Sequence, residues 1–181
     1  MNIQKANFGG GCFWCTEAVF TAVNGVNRVT SGYMGGRNEH PTYQQVCGGQ
    51  TGHAEIIQIE YDGDVTDFRD LLLIFFKTHE PTTLNRQGAD VGTQYRSVVF
   101  YETAAQKQQT EEMIAQLNAE KIFSNPIVTE VSPVETFYPA ESYHQDYFVN
   151  NRSQGYCMAV IEPKLAKFAK NFKDKIKPEL L

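Results

Sequence analysis

Basic side chains are in short supply in this 181-residue chain. Sixteen Lys and Arg stand against twenty-one Asp and Glu, for a net charge of −5 and a pI near 5.4. A main surface for nucleic acid or an anionic membrane is thereby excluded, because both demand a basic footprint. Long apolar runs are missing too: Leu71–Phe76 is as long as any and far too short to span a bilayer. Met1–Asn7 has no apolar signal region, so the expected location is the cytoplasm. There is no internal repeat, low-complexity tract or linker-like composition shift, which points to one domain over residues 1–181. Cysteine is sparse, with four residues (Cys12, Cys15, Cys47, Cys157), excluding a disulfide-built miniature scaffold. In a reducing compartment such thiols serve redox chemistry, metal binding or packing.

Against these absences, hydrophobic residues at 41% and charged residues at 20% suffice for an ordinary core. Periodicity and turn residues predict helices over Cys12–Val23, Phe68–His79, Thr103–Ile122 and Ser142–Asn150, and an amphipathic terminal helix over Lys164–Ile176. Strands are predicted at 26–32, His53–Tyr61, Gln94–Tyr101, Ile127–Pro133 and Gly155–Ile161. The terminal helix turns Leu165, Phe168, Phe172 and Ile176 inward and is read as docked, with its lysines in water. Two loop-rich stretches, 34–52 and 82–93, are long for a compact domain unless they build a site. The alternation predicts an α/β (α+β) fold, a two-layer α/β sandwich or roll of ferredoxin-like kind, with the site where both loops meet the Gly9-Gly10-Gly11 turn.

Cys12 follows three glycines at the start of a helix. Glycines allow close backbone approach, and free N–H groups at a helix start favour thiolate over thiol, so Cys12 is the candidate nucleophile. The ordinary alternative for a lone cysteine is a small buried hydrophobe. Cys15 completes Cys12-Phe13-Trp14-Cys15, the spacing of thiol–disulfide exchange. A zinc site with His53, His79 or His144 lacks a second Cys-x-x-Cys or a His-x-x-x-His, and no metal or cofactor is expected. On the strand period, Glu55 shares a face with Ile57, Ile59 and Tyr61. Burial there would keep it protonated as a general acid, whereas a strand-end glutamate that curls into water would not be. Tyr43 and Tyr95 flank the loops as neutral donors, and Phe13 and Trp14 can wall an apolar pocket.

Gly11-Cys12-Phe13-Trp14, Pro41-Thr42-Tyr43 with Val46-Cys47, Thr51-Gly52-His53-Ala54-Glu55, Arg86-Gln87-Gly88 with Asp90, and Gly92–Ser97 resemble the A-type peptide methionine sulfoxide reductases. Ala140-Glu141 and Tyr143-His144-Gln145 with Tyr147 extend the resemblance to about Phe8–Tyr156. It implies Cys12 as the sulfur nucleophile, Glu55 as the acid on the sulfoxide oxygen, and Tyr43 and Tyr95 as hydroxyls holding that oxygen. It further implies support from Asp90, a methyl pocket at Phe13 and Trp14, the S epimer as substrate, thioredoxin as reductant, and an α/β roll.

The resolving thiol is where the match loosens. Gly155-Tyr156-Cys157 keeps the tripeptide that carries it in many relatives, but an apolar run and a lysine-rich helix follow. Cys15 stands where many relatives have glycine. Cys157 is the expected resolving cysteine, Cys15 the alternative, and Cys47 is expected to be packed. The competing functions are a dithiol–disulfide oxidoreductase built on Cys12 and Cys15, and a zinc-stabilised binding module. The expected protein is a monomer.

Overall fold

The computed structural model describes residues 1–180, so Leu181 of the expected unit lies outside the described residues. Its frame is a six-stranded sheet. In chain order the elements are β1 (Ile3–Gly10), α1 (Phe13–Thr21), β2 (Val26–Met34), α2 (Tyr43–Cys47), β3 (Ala54–Asp62) and α3 (Phe68–Thr78). A small hairpin of β4 (Arg86–Gln87) and β5 (Asp90–Val91) precedes β6 (Ser97–Tyr101), α4 (Ala104–Ala119), β7 (Glu130–Pro133), β8 (Tyr138–Pro139), α5 (Tyr147–Asn150) and α6 (Glu162–Asn171). The sheet order is β7-β6-β1-β3-β2-β8, antiparallel except for the β6–β7 edge. β1-α1-β2 and β3-α3-β6 are thus two interleaved βαβ crossovers, the expected ferredoxin-like arrangement.

Strand alternation divides the core. Ala6, Phe8, Ile57, Ile59 and Val99 face the helices, while Ala54, Ile56, Val98 and Phe100 form a smaller cluster with Met34 behind Phe137. Phe8 centres the helical side: its ring stacks on Phe75 at 4.7 Å and meets Phe20 at 5.6 Å and Phe68 at 5.8 Å. Phe8→Ala is therefore expected to cost about 3–5 kcal/mol of unfolding free energy. Urea denaturation checks this, and a midpoint shift near zero would contradict the packing.

β1 was not expected from the sequence. Gln4, Lys5 and Asn7 interrupt its apolar pattern and Gly9-Gly10 close it, so nothing local marks a central strand. The glycines instead serve tight packing: a Cβ on Gly9 would lie 2.8 Å from Val98 Cγ1, and one on Gly10 would lie 3.0 Å from Phe75.

The strand expected over Gly155–Ile161 is a correction. Cys157–Ile161 is a wide helical turn running into α6. A short apolar run does not distinguish strand from helix, and here Cys157, Ile161, Leu165 and Phe168 continue one helical stripe. The turn precedes Pro163, which has no N–H for a regular ladder. The expected 142–150 helix likewise divides into a turn at Ser142–His144 and α5, with Asp146 left-handed between them. Phe168 and Ile176 are buried, so the tail is docked as expected.

Candidate active site

The glycine turn, α2, β3 and the β4–β5 hairpin converge at the N-terminus of α1. Gly11 adopts φ +91°, and a Cβ there would strike Gln87 Cγ at 2.6 Å, so only glycine lets the hairpin close over this turn. Cys12 caps α1 rather than lying inside it. The Cys15 N–H donates to the Cys12 carbonyl at 3.0 Å, closing the first turn with both thiols on one side.

Glu55 opens β3 opposite Tyr33 and is 1% exposed. Its Oε1 accepts the Phe13 N–H at 3.0 Å, whereas its buried Oε2 has no partner among the described residues. Burial pushes its carboxyl up to about 8; nearby Asp90 and Cys15 add to this and the Phe13 N–H opposes it. With Oε1 accepting, the proton resides on Oε2. The buried acid expected from the strand period is thus realised, and its exposed alternative is not.

The raised value makes a stability prediction. The native state holds this proton more tightly than the unfolded chain, so the advantage is full below about 4.5 and is lost as pH rises through about 8. Glu17, buried on α1 and raised to about 7, acts in the same direction. Stability is expected to fall between about pH 4.5 and 8, as read by urea midpoints. Glu55→Gln should flatten that slope, and an unchanged slope would mean that Glu55 is ionised throughout.

Tyr43 and Tyr95 are half-buried, and both hydroxyls are pushed well above their ordinary range. Burial is the main cause, and the negative charges of Glu55 and Cys12 contribute to both. They remain neutral donors next to the acid and the thiol. Tyr43 is anchored through its N–H, which donates to Glu141 Oε2 at 3.0 Å, and Glu141 Oε1 also accepts the Tyr33 hydroxyl.

Phe13 and Trp14 part company. Phe13 is sealed in the main core behind Tyr43, and Trp14 supplies the accessible apolar wall. The indole stacks on Tyr147 at 3.7 Å, and its N–H donates to His144 Nδ1 at 3.0 Å. His144 Nε2 therefore carries the ring proton, and it too is buried without a partner among the described residues. His144 was not singled out as a site residue from the sequence; its place in the Tyr143-His144-Gln145 motif was the available signal.

The thiols depart from expectation in two ways. Cys12 was expected to be lowered by the helix terminus. Instead its thiol is pushed up, by burial first, then by the hydrogen bond with Cys15 and the charge of Glu55; the Trp14 N–H opposes weakly. Cys15 takes the lowering, to about 7, chiefly through that hydrogen bond from Cys12 and with help from Lys164. The pair shares a proton, and desolvation of Cys12 outweighs the helix-terminus effect. Cys47 was expected to be packed but is exposed, hydrogen-bonded with Tyr43 at the end of α2.

Cys157 is buried in one apolar cluster with Cys12, Cys15, Phe148 and Ile161. Its neighbour Tyr156, missed as a site residue, donates to Asp90 Oδ2 at 2.9 Å and lies 3.4 Å from Cys15 Sγ. Asp90 thus reaches the thiols through Tyr156. The histidines considered for zinc are apart: His53 accepts from the Gly36 N–H and pairs with the Asn38 carbonyl, and His79 bonds Ser97. No group of three potential ligands converges among the described residues.

The family described as "Peptide methionine sulfoxide reductase" matches residues 4–176. A Deinococcus radiodurans protein named "Peptide methionine sulfoxide reductase MsrA" is 56% identical over 174 residues, covering 96% of this chain and 84% of its own length. Among solved structures, reduced Mxr1 from Saccharomyces cerevisiae superposes with a TM-score of 0.78 at 32% identity, covering 86% of this chain and 90% of that one. Mxr1 crystallised in complex with Trx2 gives a TM-score of 0.55 at 22% identity over 81% and 85% of the two chains, a likeness of fold. The expected α/β architecture thus agrees with the solved relatives.

Proposed function

Because the chain belongs to the peptide methionine sulfoxide reductase family, we propose that it reduces the S epimer of methionine sulfoxide, free or in proteins, to methionine. The observation that carries this is Glu55: a buried, protonated carboxyl with an unpartnered Oε2, near enough to Cys12, Tyr43 and Tyr95 for its charge to bear on all three. Sulfoxide sulfur becomes electrophilic only when its oxygen is protonated or strongly hydrogen-bonded, which is what this acid and two neutral hydroxyls supply. Trp14, backed by Phe13, receives the methyl group.

Cys12 attacks the sulfur as its own proton passes along the hydrogen bond to Cys15. Glu55 gives its proton to the oxygen, methionine leaves, and the oxygen remains on Cys12 as a sulfenic acid. We assign the next step to Cys15. Its sulfur attacks Cys12 Sγ, the proton it took from Cys12 passes to the departing hydroxyl, water leaves, and a Cys12–Cys15 disulfide forms. The mutual hydrogen bond and the lowered Cys15 thiol support this order. Cys157, in the same cluster, is the second candidate. A thioredoxin-class dithiol returns two electrons and restores both thiols; crystallisation of the yeast relative Mxr1 with Trx2 supports that choice. Residues 1–181 act as one catalytic unit, monomeric and working in the cytoplasm, where thiols are kept reduced. Among the described residues no helix is long and apolar enough to cross a membrane.

A reductant-free single turnover tests the assignment. Pre-reduced protein mixed separately with each epimer of N-acetylmethionine sulfoxide should yield methionine derivative from the S epimer alone, with two thiols lost per chain. Product from neither epimer would overturn it and favour plain dithiol exchange by Cys12 and Cys15.

A further inference from the structure

A cavity of about 380 Å³ opens between the C-terminal end of α3, the β4–β5 hairpin and α6. Cys12 and Cys15 both line it, yet Glu55, Tyr43 and Tyr95 do not. A sulfoxide entering here would meet the thiols without the acid or the hydroxyls that activate its oxygen. The cavity therefore addresses the cysteine pair from a side unsuited to the oxidising substrate.

Its charge identifies what it suits. Lys77, Lys164 and Lys167 line it in a chain that is acidic overall, and none forms an ion pair among the described residues. Two carboxylates, Glu80 and Asp90, are also present and keep their charge, one oxygen of each being hydrogen-bonded, Glu80 by the Thr82 N–H and hydroxyl and Asp90 by the Tyr156 hydroxyl. Three lysines against two carboxylates leave the lining cationic by one charge, and Phe168 and Phe172 give an apolar wall. The volume falls at the small end of cavities that enclose small ligands.

We propose that this cavity admits a small thiol bearing carboxylates, which reduces the oxidised Cys12–Cys15 pair directly as a second route beside the dithiol protein. The inference rests on the assignment of Cys15 to the disulfide. The incoming thiolate attacks Cys15 Sγ, the S–S bond breaks, and Cys12 leaves as thiolate, which takes up a proton. A second molecule of the thiol attacks the sulfur of the first, freeing Cys15 and releasing a symmetrical small disulfide. Two thiols are oxidised and one protein disulfide is reduced.

The test begins with protein oxidised by one turnover, its disulfide mapped by mass spectrometry. Recovery of thiols is then timed with mercaptosuccinate, glutathione, neutral 2-mercaptoethanol and cationic cysteamine, each rate divided by that thiol's rate on bis(2-hydroxyethyl) disulfide. The two anionic thiols should saturate and exceed the neutral one by at least ~10-fold at low ionic strength, with the advantage fading as salt is added. Lys77→Gln/Lys167→Gln should lose most of that advantage while dithiothreitol reduces it at the wild-type rate. Normalised rates that are linear and independent of charge would overturn the proposal and leave the reductase assignment intact. A disulfide mapped to Cys157, which does not line the cavity, would overturn it as well.

Discussion

Cys12→Ser is expected to abolish methionine formation completely, whereas Cys15→Ser should still release one methionine per chain and then stop. The difference follows from position. Both thiols lie at one end of α1, but in the proposed sequence the oxygen of the substrate ends on Cys12, so nothing replaces that sulfur. Cys15 enters only after the product has formed, apart from receiving the Cys12 proton, so its loss slows the first event and blocks the second. Steady-state turnover with thioredoxin should therefore fall to background in both variants, and only a single-turnover count separates them. If Cys15→Ser cycles at the wild-type rate, Cys157 or the exposed Cys47 closes the disulfide instead. Cys157→Ser supplies the complementary measurement and should cycle almost normally.

Glu55→Gln should slow the sulfoxide step at neutral pH by about 10²- to 10⁴-fold, the usual worth of a positioned proton donor. Glutamine preserves the shape and can still accept the Phe13 N–H through its amide oxygen, so the loss reports the proton rather than the packing. Alkylation of Cys12 by iodoacetamide should continue in the variant. The wild-type rate should hold through neutrality and fall as pH passes about 8, where the carboxyl ionises. A variant rate within a factor of two of wild type would remove the general-acid role and transfer activation to Tyr43 and Tyr95.

Several of these features were legible in the chain itself. Glu55 stood out because a period of two put it on the same face as Ile57 and Ile59, and that face is buried against the helices. Thr66 and Asp67 both offered a cap before Phe68, and it is the Asp67 side chain that accepts the Asp70 N–H at 2.8 Å at the start of α3, while Pro81 follows its end. Such signals are local: they depend on backbone propensity and on which face of one element is apolar. Motif order then brought Cys12, Tyr43, Asp90 and Tyr95 into view as one group.

β1 and the 155–161 segment were not legible, for a shared reason. A central strand with glycines at its end is held by neighbours on both sides, and a short apolar run takes its form from what it packs against. The ionisation of the thiols was hidden for the same cause. Period, caps and motif spacing sufficed for most of the helices and strands and for picking out Cys12 as the candidate nucleophile and Glu55 as a buried carboxyl. Only the tertiary structure decided that Cys15 rather than Cys12 has the lowered thiol, that Tyr156 joins Asp90 to the pair, and that lysines of α3 and α6 flank it from behind. Desolvation, hydrogen bonding and charge at a site depend on groups distant in the chain, and no local pattern encodes which of them will meet.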